Sequence, residues 1–477
     1  MPFSGRLAAD RKGLAGGGGG AVRTTARFGE WAAETSRDWP AACLKEARLC
    51  LIDTIGCMLA GSVEPASEKV VTTVAAWGTG EATVLGETRR LPPPFAAFAN
   101  GTAAHALDYD DVLDPAMAHP SAPLTAALLA LAEEEDRSWD ECLDAFLVGF
   151  EVMARLGEAM NLAHYNNGWH STLSLGAPAT AAAVARLIGL NAAQTASAIS
   201  LATSMAGGSK QQFGTMAKPI HAGLAAKNGF MAARLAQSGV TAAEEAIDGP
   251  WGIVAMTAGE AAPGTRVIDE KLGGEPAISE YGAWRKLYPC CGSTHRPIDA
   301  LLAMRAEEGL AAEDVVEVEA VVSFAAATNL RYRLPQNVAE ARFSLPYCAA
   351  AALIDGRVDT RTFTAEAIRR NDVLALAERV TVTRDAALSG TGAVSETPER
   401  ARVRVTKRGG GMCERIVSVP TGHPQQPLSE DALKTKFLAC AARSALAVDA
   451  EAIWRAVHGP PGVGRVAEMM RHIQVHH

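Results

Sequence analysis

The chain has 477 residues, of which 48% are hydrophobic, 21% charged and only 5% aromatic, and its formal net charge is −8. This length and apolar share predict two globular domains with large cores, and they exclude long disordered tracts. The acidic balance argues against nucleic acid or an anionic membrane as a partner, because both require clustered Lys and Arg side chains. The nine Cys residues form no CxxC repeat, so we expect neither a disulfide framework nor a zinc ribbon.

The N-terminal segment lacks the features of a secretory signal peptide. It carries Asp10 and a glycine run at residues 16–20 in place of a compact apolar stretch, which argues against a secretory signal. No run of about 18 uncharged apolar residues occurs in the chain, so we expect no transmembrane helix. We therefore expect a cytoplasmic protein in which residues 1–25 form a flexible leader.

Residues 26–266 show the pattern of successive helices. Apolar residues recur at intervals of three and four, and Gly or Pro stands between the segments, which is typical of amphipathic helices. Two capping boxes, Ser138 with Glu141 and Thr241 with Glu244, predict helix N-termini at those positions. The sequence therefore predicts a large all-helical domain over this range.

The pattern changes over residues 267–424, where apolar and charged residues alternate as they do in β-strands. A strand is predicted near residues 380–382, and a hairpin is predicted to turn at residues 409–411. Helical segments lie between the strands, so we expect a smaller α+β domain, and a helical tail at residues 425–477 that packs on the first domain. The predicted fold class is mainly α. One further predicted strand places five apolar residues on one face: Val316, Val318, Ala320, Val322 and Phe324.

Polar side chains that could carry chemistry concentrate in a few Gly- and Ala-rich segments, the first of which contains His105 and Asp108. If residues 94–110 are helical, the carboxylate of Asp108 lies on the same face as the imidazole of His105 and can orient it. The alternative is the capped end of a helix with solvated acids. We expect Asp110 and Asp111 to be such acids.

Two further segments combine a basic side chain with the start of a helix. His170 precedes a small-residue helix whose N-terminal amides favour a negatively charged ligand, although a single His is more often structural. Lys218 precedes Pro219, so we expect it to be held extended just before a helix begins. Because Lys218 and His221 stand in an otherwise uncharged stretch, they form a candidate clamp for an anion. The alternative is an ordinary helix start.

A fourth segment holds Cys291 and His295, but no further ligands follow at a recognisable spacing, so we expect no metal site. Tyr347 lies near the start of a predicted helix, where its hydroxyl could protonate a substrate or simply pack. The chain has no Walker A motif and no GxSxG elbow, and its glycine run lacks a GxGxxG frame after a strand.

Five segments together resemble the MmgE/PrpD family, which includes 2-methylcitrate dehydratases, cis-aconitate decarboxylases and iminodisuccinate epimerases. The matching runs are NGTAAHALDYDD, GWHSTLSLG, FGTMAKPIHAG, YPCCGSTHRPIDA and RFSLPY. The resemblance spans about residues 26–425. It implies a large all-helical domain, a smaller α+β lid, a homodimer, and a site between the domains that uses no cofactor.

The family's site residues carry over to six positions of this sequence, and Cys291 is the alternative to one of them, His295. The set is similar to that of the family's decarboxylases, but Val112 stands where those enzymes carry a Thr. The spacing from the first Asp to the next His is also one residue longer than in them. Both departures argue against a decarboxylase. The six positions are Asp108, His119, His170, Lys218, His295 and Tyr347.

The family's reactions share the removal or delivery of a proton at a carbon beside a carboxylate. Such a carbon is weakly acidic, so a cation must hold the developing charge while a base takes the proton. We therefore expect a dehydratase-type lyase for a hydroxylated di- or tricarboxylate such as 2-methylcitrate. The alternatives are an iminodisuccinate-type epimerase, a cis-aconitate-type decarboxylase and a carboxylate-binding protein without catalysis. The candidate roles are Lys218 with His119 or His221 as cations, Asp108 or His170 as base, and Tyr347 or His295 as acid.

Overall fold

The computed structural model describes residues 23–388, 399–459 and 464–473. The expected leader, residues 1–25, lies almost entirely outside the described residues, and the first helix begins at Thr24. Helices dominate the described chain, and its strands form one two-stranded and one four-stranded sheet. The predicted mainly α class is therefore confirmed.

The first part of the described chain is built from fourteen helices and one short pair of strands, β1 (Ala82–Thr83) and β2 (Arg90–Leu91). The helices are α1 (Thr24–Glu34), α2 (Ala41–Gly61), α3 (Pro65–Ala75), α4 (Pro93–His105), α5 (Ser121–Glu134), α6 (Trp139–Met160), α7 (Ala163–Asn166), α8 (Ser171–Ser174), α9 (Gly176–Leu187), α10 (Ala192–Thr203), α11 (Ala217–Gln237), α12 (Ile253–Thr257), α13 (Arg266–Lys271) and α14 (Ala277–Glu280).

The length and apolar content of the helices decide whether one of them could span a membrane. Among the described residues, no single helix is long and apolar enough to cross one. The pair α2 and α3, which is bent by 84°, passes the same test only when both helices are taken together.

Local sequence explains where one of the long helices begins. The hydroxyl of Ser138 accepts a hydrogen bond from the amide of Glu141, whose carboxylate accepts one from the amide of Ser138. The predicted capping box therefore starts α6. The box predicted at Thr241 and Glu244 is wrong, because residues 241–250 form turns and irregular structure. The carboxylate of Glu244 pairs with Arg23 instead of returning to its own segment.

Small residues allow α4 and α11, the two helices that carry the site, to approach closely. A Cβ atom added to Gly101 on α4 would lie 2.9 Å from the Cα of Gly223 on α11, closer than real Cβ contacts allow. The glycines therefore fix the spacing of the two helices. As a result, the end of α4 and the start of α11 meet at one place.

The second part is α+β. Its sheet has the strand order β4-β3-β5-β6, in which β3 and β4 are parallel and the other pairs antiparallel. The predicted hairpin at residues 409–411 is confirmed, since β5 and β6 flank that turn. The elements are α15 (His295–Glu307), β3 (Val315–Val322), α16 (Phe324–Asn329), α17 (Val338–Ala341), α18 (Leu345–Asp355), α19 (Asn371–Ala377), β4 (Val380–Arg384), β5 (Ala401–Lys407) and β6 (Met412–Val417).

The predicted apolar face of β3 is right in its centre and wrong at its ends. Val318, Ala320 and Val322 are buried, whereas Val316 is 49% exposed. The pairing of β3 with β5 shifts register just after Val315, and such a bulge turns the next side chain outward. Phe324 is also exposed, because it begins α16 and does not continue the strand.

The chain ends in three helices, α20 (Glu430–Ala441), α21 (Ala450–Val457) and α22 (Val466–Met470). Leu433, Phe437 and Ile453 from this tail share one hydrophobic core with the first part. Residues between 287 and 417 form a second core, and Phe213 from the first part also packs in it. The domain bounds proposed from the sequence, at residues 266 and 424, stay a prediction.

Candidate active site

The loop that follows α4 turns sharply at Asp108. The helix ends at His105 and does not run on to residue 110, and Asp108 has a φ of +52°. This left-handed conformation is uncommon for a residue with a side chain. His105 and Asp108 therefore do not share a helical face. They come together through Lys218, whose ammonium lies 2.7 Å from Nε2 of His105 and 2.7 Å from Oδ2 of Asp108.

Lys218 stands in the first turn of α11, which begins one residue earlier at Ala217. The prediction that Lys218 is extended before the helix is therefore wrong. Pro219 fits inside the first turn because the amide it lacks would have no partner in the helix there. The helix start directs the lysine into the space beside the loop of Asp108.

Two buried ammonium groups hold the carboxylate of Asp108. Lys218 binds one oxygen, and Lys286 binds the other oxygen and, at 2.9 Å, the carbonyl of Asp108. Burial alone would raise the pKa of this carboxyl, but the two lysines hold that pKa well below its ordinary range. The two ammonium groups share the single carboxylate of Asp108, and the next carboxylate, that of Asp110, binds His105 and neither lysine. The ammonium groups are therefore suited to bind a further anion.

The imidazole of His105 is oriented by Asp110. Nδ1 of His105 lies 2.9 Å from each carboxylate oxygen of Asp110, and both side chains are fully buried. An ammonium can only donate, so Nε2 of His105 must accept from Lys218 while Nδ1 carries the proton toward Asp110. The three groups form a relay from carboxylate to imidazole to ammonium.

Asp110 and Asp111 are therefore not the solvated acids that we expected. Both are fully buried, because the turn at Asp108 directs the following residues inward. Asp111 accepts hydrogen bonds from the amide and the hydroxyl of Ser121. Burial raises its pKa to about 7.

His119 lies beside the same carboxylates. Its Nδ1 lies 2.9 Å from the carbonyl oxygen of Asp111, and since a carbonyl only accepts, this nitrogen carries the proton. Its Nε2 lies 4.0 Å from Oδ1 of Asp108. The pKa of His119 lies well below its ordinary value of 6.5, mainly because the ring is buried and secondly because of the charge of Lys286.

His170 and His221 form a second imidazole pair. Their Nδ1 atoms lie 2.8 Å apart, so one of them donates and the other accepts. The ring of His170 is 5.8 Å from that of His105. Burial holds the pKa of His170 well below its ordinary value and that of His221 at about 4. The site therefore places neutral imidazoles next to paired ammonium groups.

Two predicted residues are not brought to this cluster. The hydroxyl of Tyr347 donates to the carbonyl of Thr362 at 2.5 Å, within the core of the second part. Nε2 of His295 lies 3.3 Å from the carbonyl of Cys290. Cys291 is within electrostatic range of the cluster. Burial, and next the charge of Asp108, raise the pKa of its thiol to about 11, against the opposing charge of the site lysines.

A cavity of about 300 Å³ opens onto the cluster. The first part lines it with residues that include His105, Asp108 and Lys218. The second part lines it with Asn337, Val338, Ala339, Arg342 and Phe343. The cavity therefore lies between the two parts of the chain. Its size is at the lower end of small-molecule sites.

Sequence reasoning missed Lys286 and the role of Asp110. Lys286 stands two residues before the tyrosine that opens the YPCCG run, and a basic residue so close to a motif is a usable signal. Asp110 lies two residues beyond Asp108, but its burial depends on the turn between them, which the sequence does not show.

His105, Asp110 and His119 bring three possible metal ligands within 4.8 Å of one another. The Nδ1 atoms of both rings carry protons, as shown above, and a metal ligand must offer a lone pair. A cation there would also face the ammonium groups of Lys218 and Lys286. The donor set therefore fits a hydrogen-bond relay better than a cation site.

Two family models match the chain. The MmgE/PrpD N-terminal domain matches residues 26–265, and the MmgE/PrpD C-terminal domain matches residues 288–458. The first matched range contains Asp108, Lys218 and the histidines of the cluster, and Lys286 lies in the short segment between the two ranges.

Three relatives show similarity of different extent. A cis-aconitate decarboxylase of Homo sapiens is 31% identical over 366 residues, 74% of each chain. A cis-aconitate decarboxylase-like protein, oryM, of Aspergillus oryzae is 29% identical over 437 residues, 87% of this chain and 89% of that protein. A probable 2-methylcitrate dehydratase of Saccharomyces cerevisiae is 31% identical over 175 residues, 33% of each chain.

Proposed function

The chain belongs to the MmgE/PrpD family, and from this premise we propose that it is a cofactor-independent lyase for a small di- or tricarboxylate. The reaction moves a proton at a carbon beside a carboxylate. One observation carries the proposal: neutral imidazoles lie next to two ammonium groups that share one buried carboxylate. This arrangement combines a base with the cations that stabilise a carbanion.

The cationic role falls to Lys218, assisted by Lys286. A carboxylate of the substrate binds their ammonium groups, which hold the negative charge that develops when the neighbouring carbon loses its proton. Asp108 keeps both lysines in place and does not act as the base, because each of its carboxylate oxygens already binds an ammonium group. No movement of the lysines is then required during the reaction.

The basic role falls to His170. When it donates the proton on Nδ1 to His221, its Nε2 is left free to take a proton from the substrate. Its depressed pKa keeps the ring neutral near pH 7, so the base is available without prior deprotonation. Lys218 then donates a proton to the leaving hydroxide, and water departs. One C–H bond and one C–O bond break, and a C=C bond forms.

Dehydration of a 2-methylcitrate-like acid is the reaction we propose first. Support comes from the free base at His170 and from Val112, which stands where the family's decarboxylases carry a Thr. Decarboxylation of a cis-aconitate-like acid is the second candidate. It is favoured by the extent of similarity, since the decarboxylase relatives match 74% to 87% of this chain and the dehydratase relative only 33%.

Proton NMR in heavy water tests the proposal. The purified chain is incubated separately with 2-methylcitrate, citrate, cis-aconitate and iminodisuccinate. An alkene formed from a hydroxylated acid supports the dehydratase, and a product of cis-aconitate with one carboxylate fewer supports the decarboxylase. Deuterium entering beside a carboxylate without net change indicates an epimerase. No change in any of the four acids contradicts the proposed lyase.

A further inference from the structure

The lining of the cavity also holds an incompletely bonded ion pair. Arg342, from the second part, and Glu64, just before α3 in the first part, both line the cavity. Nη2 of Arg342 lies 3.3 Å from Oε2 of Glu64. Nε of Arg342 is buried and has no hydrogen-bond partner among the described residues.

Arg342 is fixed in place by its backbone and its ring neighbour. Its carbonyl accepts a hydrogen bond from the amide of Cys291 at 3.0 Å, and its guanidinium lies 5.6 Å from the centre of the Phe363 ring. The side chain is only 5% exposed. The guanidinium is therefore held beside the cavity and not spread over the protein surface.

Arg186, a buried arginine that does not line the cavity, satisfies more of its donors, although the Nε atoms of Arg285 and Arg443 also lack partners among the described residues. Arg186 binds Asp144 through Nε at 2.7 Å and the carbonyls of Ala33 and Thr35 at 2.9 and 2.8 Å. Arg342 makes a single long contact although a guanidinium offers five donors. Its remaining donors fit a carboxylate, which takes two parallel hydrogen bonds from such a fork.

We propose that Arg342 binds a second carboxylate of the substrate, and that the carboxylate of Glu64 competes with it for the same guanidinium. The inference rests on the proposed function for the first carboxylate, which binds at Lys218. A substrate held at both ends joins the two parts of the chain across the cavity. Arg342 then selects di- and tricarboxylates against monocarboxylates, and Glu64 weakens their binding.

Calorimetric titration of the full chain with propane-1,2,3-tricarboxylate tests this. The probe has the carboxylates of the substrate class but no hydroxyl or double bond, so neither dehydration nor decarboxylation can occur. We expect Arg342→Gln to weaken binding about tenfold or more, as expected for a lost charged hydrogen bond. We expect Glu64→Gln to leave binding as tight as in the wild type or tighter. Arg342→Lys, which keeps the charge, should fall between the wild type and Arg342→Gln.

Arg443 provides the matched control. It binds the other oxygen of Glu64 at 3.1 Å but does not line the cavity, so Arg443→Gln should change affinity less than about twofold. Equal weakening by Arg342→Gln and Glu64→Gln would show a structural ion pair. Wild-type affinity of Arg342→Gln, or no binding to the wild type, would also overturn the proposal. Because the probe does not react, its binding can be measured whether or not the lyase assay detects turnover. A failure of the proposed function and a failure of this proposal can therefore be told apart.

Discussion

Lys218 and Asp108 are 110 positions apart in the chain, yet their side chains form a buried hydrogen bond of 2.7 Å. The lysine comes from the first turn of α11 and the carboxylate from the turn after α4. A second lysine, Lys286, completes the group from the segment that leads into the second part. The site is therefore assembled from three separated stretches of sequence.

Replacing Lys218 with Met should abolish most of the activity, because it removes the cation that holds the developing charge. A charged hydrogen bond contributes about 1.5–3 kcal/mol, so kcat/KM should fall about tenfold to a hundredfold, or further. Lys227 lies on the same helix. Its ammonium makes no hydrogen bond or ion pair with a described residue and lies 5.4 Å from the centre of the Phe98 ring. Steady-state kinetics should show near wild-type activity for Lys227→Met, and equal losses in both variants contradict the assignment.

Replacing Asp110 with Asn should lower kcat by about tenfold or more, since the amide cannot hold the imidazole of His105 as the carboxylate does. The neighbouring Asp111 is equally buried but binds Ser121. Asp111→Asn should therefore change stability and leave kcat per folded molecule nearly intact. Kinetics normalised to the folded fraction, measured by circular dichroism, separate the two. Similar kcat losses in both variants would mean that the relay has no special role.

Buried neutral histidines should make stability depend on pH. Burial lowers the pKa of His164 to about 4, against an ordinary value of 6.5. Between pH 6.5 and 4, His164 is therefore protonated in the unfolded chain but neutral in the folded chain. The free energy of unfolding falls as the pH drops through this range. At pH 5 this loss amounts to about 2 kcal/mol relative to pH 7.5.

The variant His164→Gln isolates that contribution. Denaturant unfolding at pH 7.5 and pH 5 should show a smaller loss of stability on acidification in the variant than in the wild type. The hydroxyl of Ser174 remains available to the amide, since it bonds Nε2 of His164 at 2.9 Å. An identical pH dependence in both proteins would contradict a neutral, buried His164.

Lys436 should be important for stability. Its ammonium lies within 3.0 Å of the carboxylate of Asp53 and 2.9 Å from the carbonyls of Tyr109 and Lys286. Lys436→Met leaves a buried charge unpaired and should cost about 3–5 kcal/mol. The double variant with Asp53→Asn should recover part of that loss in urea unfolding. A single variant as stable as the wild type, or a double variant less stable than the single, contradicts this role.

Local patterns predicted the helices and the hairpin, because periodicity and turn residues act over a few positions. The site depends on longer distances. The contact between Lys286 and Asp108 spans 178 positions, and no local signal encodes it. The burial of Asp110 follows from the positive φ at Asp108, which Asp adopts more readily than most residues but which its presence alone does not predict.

Errors in the predicted elements have similar causes. Thr241 and Glu244 match the sequence pattern of a capping box. The carboxylate of Glu244 instead accepts a hydrogen bond from Arg23, which is 221 positions away. Tyr347 and His295 stand in motifs of the family, and their neighbours in the second core decide where their polar atoms point. Tertiary contacts of this kind override local preferences.

We propose that the chain removes a proton beside a carboxylate with His170 as the base. Proton NMR in heavy water of the acid that the wild type converts, run in parallel with His170→Gln, measures the removal of that proton. We expect the hydrogen beside the carboxylate to be lost or exchanged with the wild type and to stay in place with a folded His170→Gln variant. The same rate of loss in both proteins, or turnover that leaves this hydrogen untouched, would contradict it.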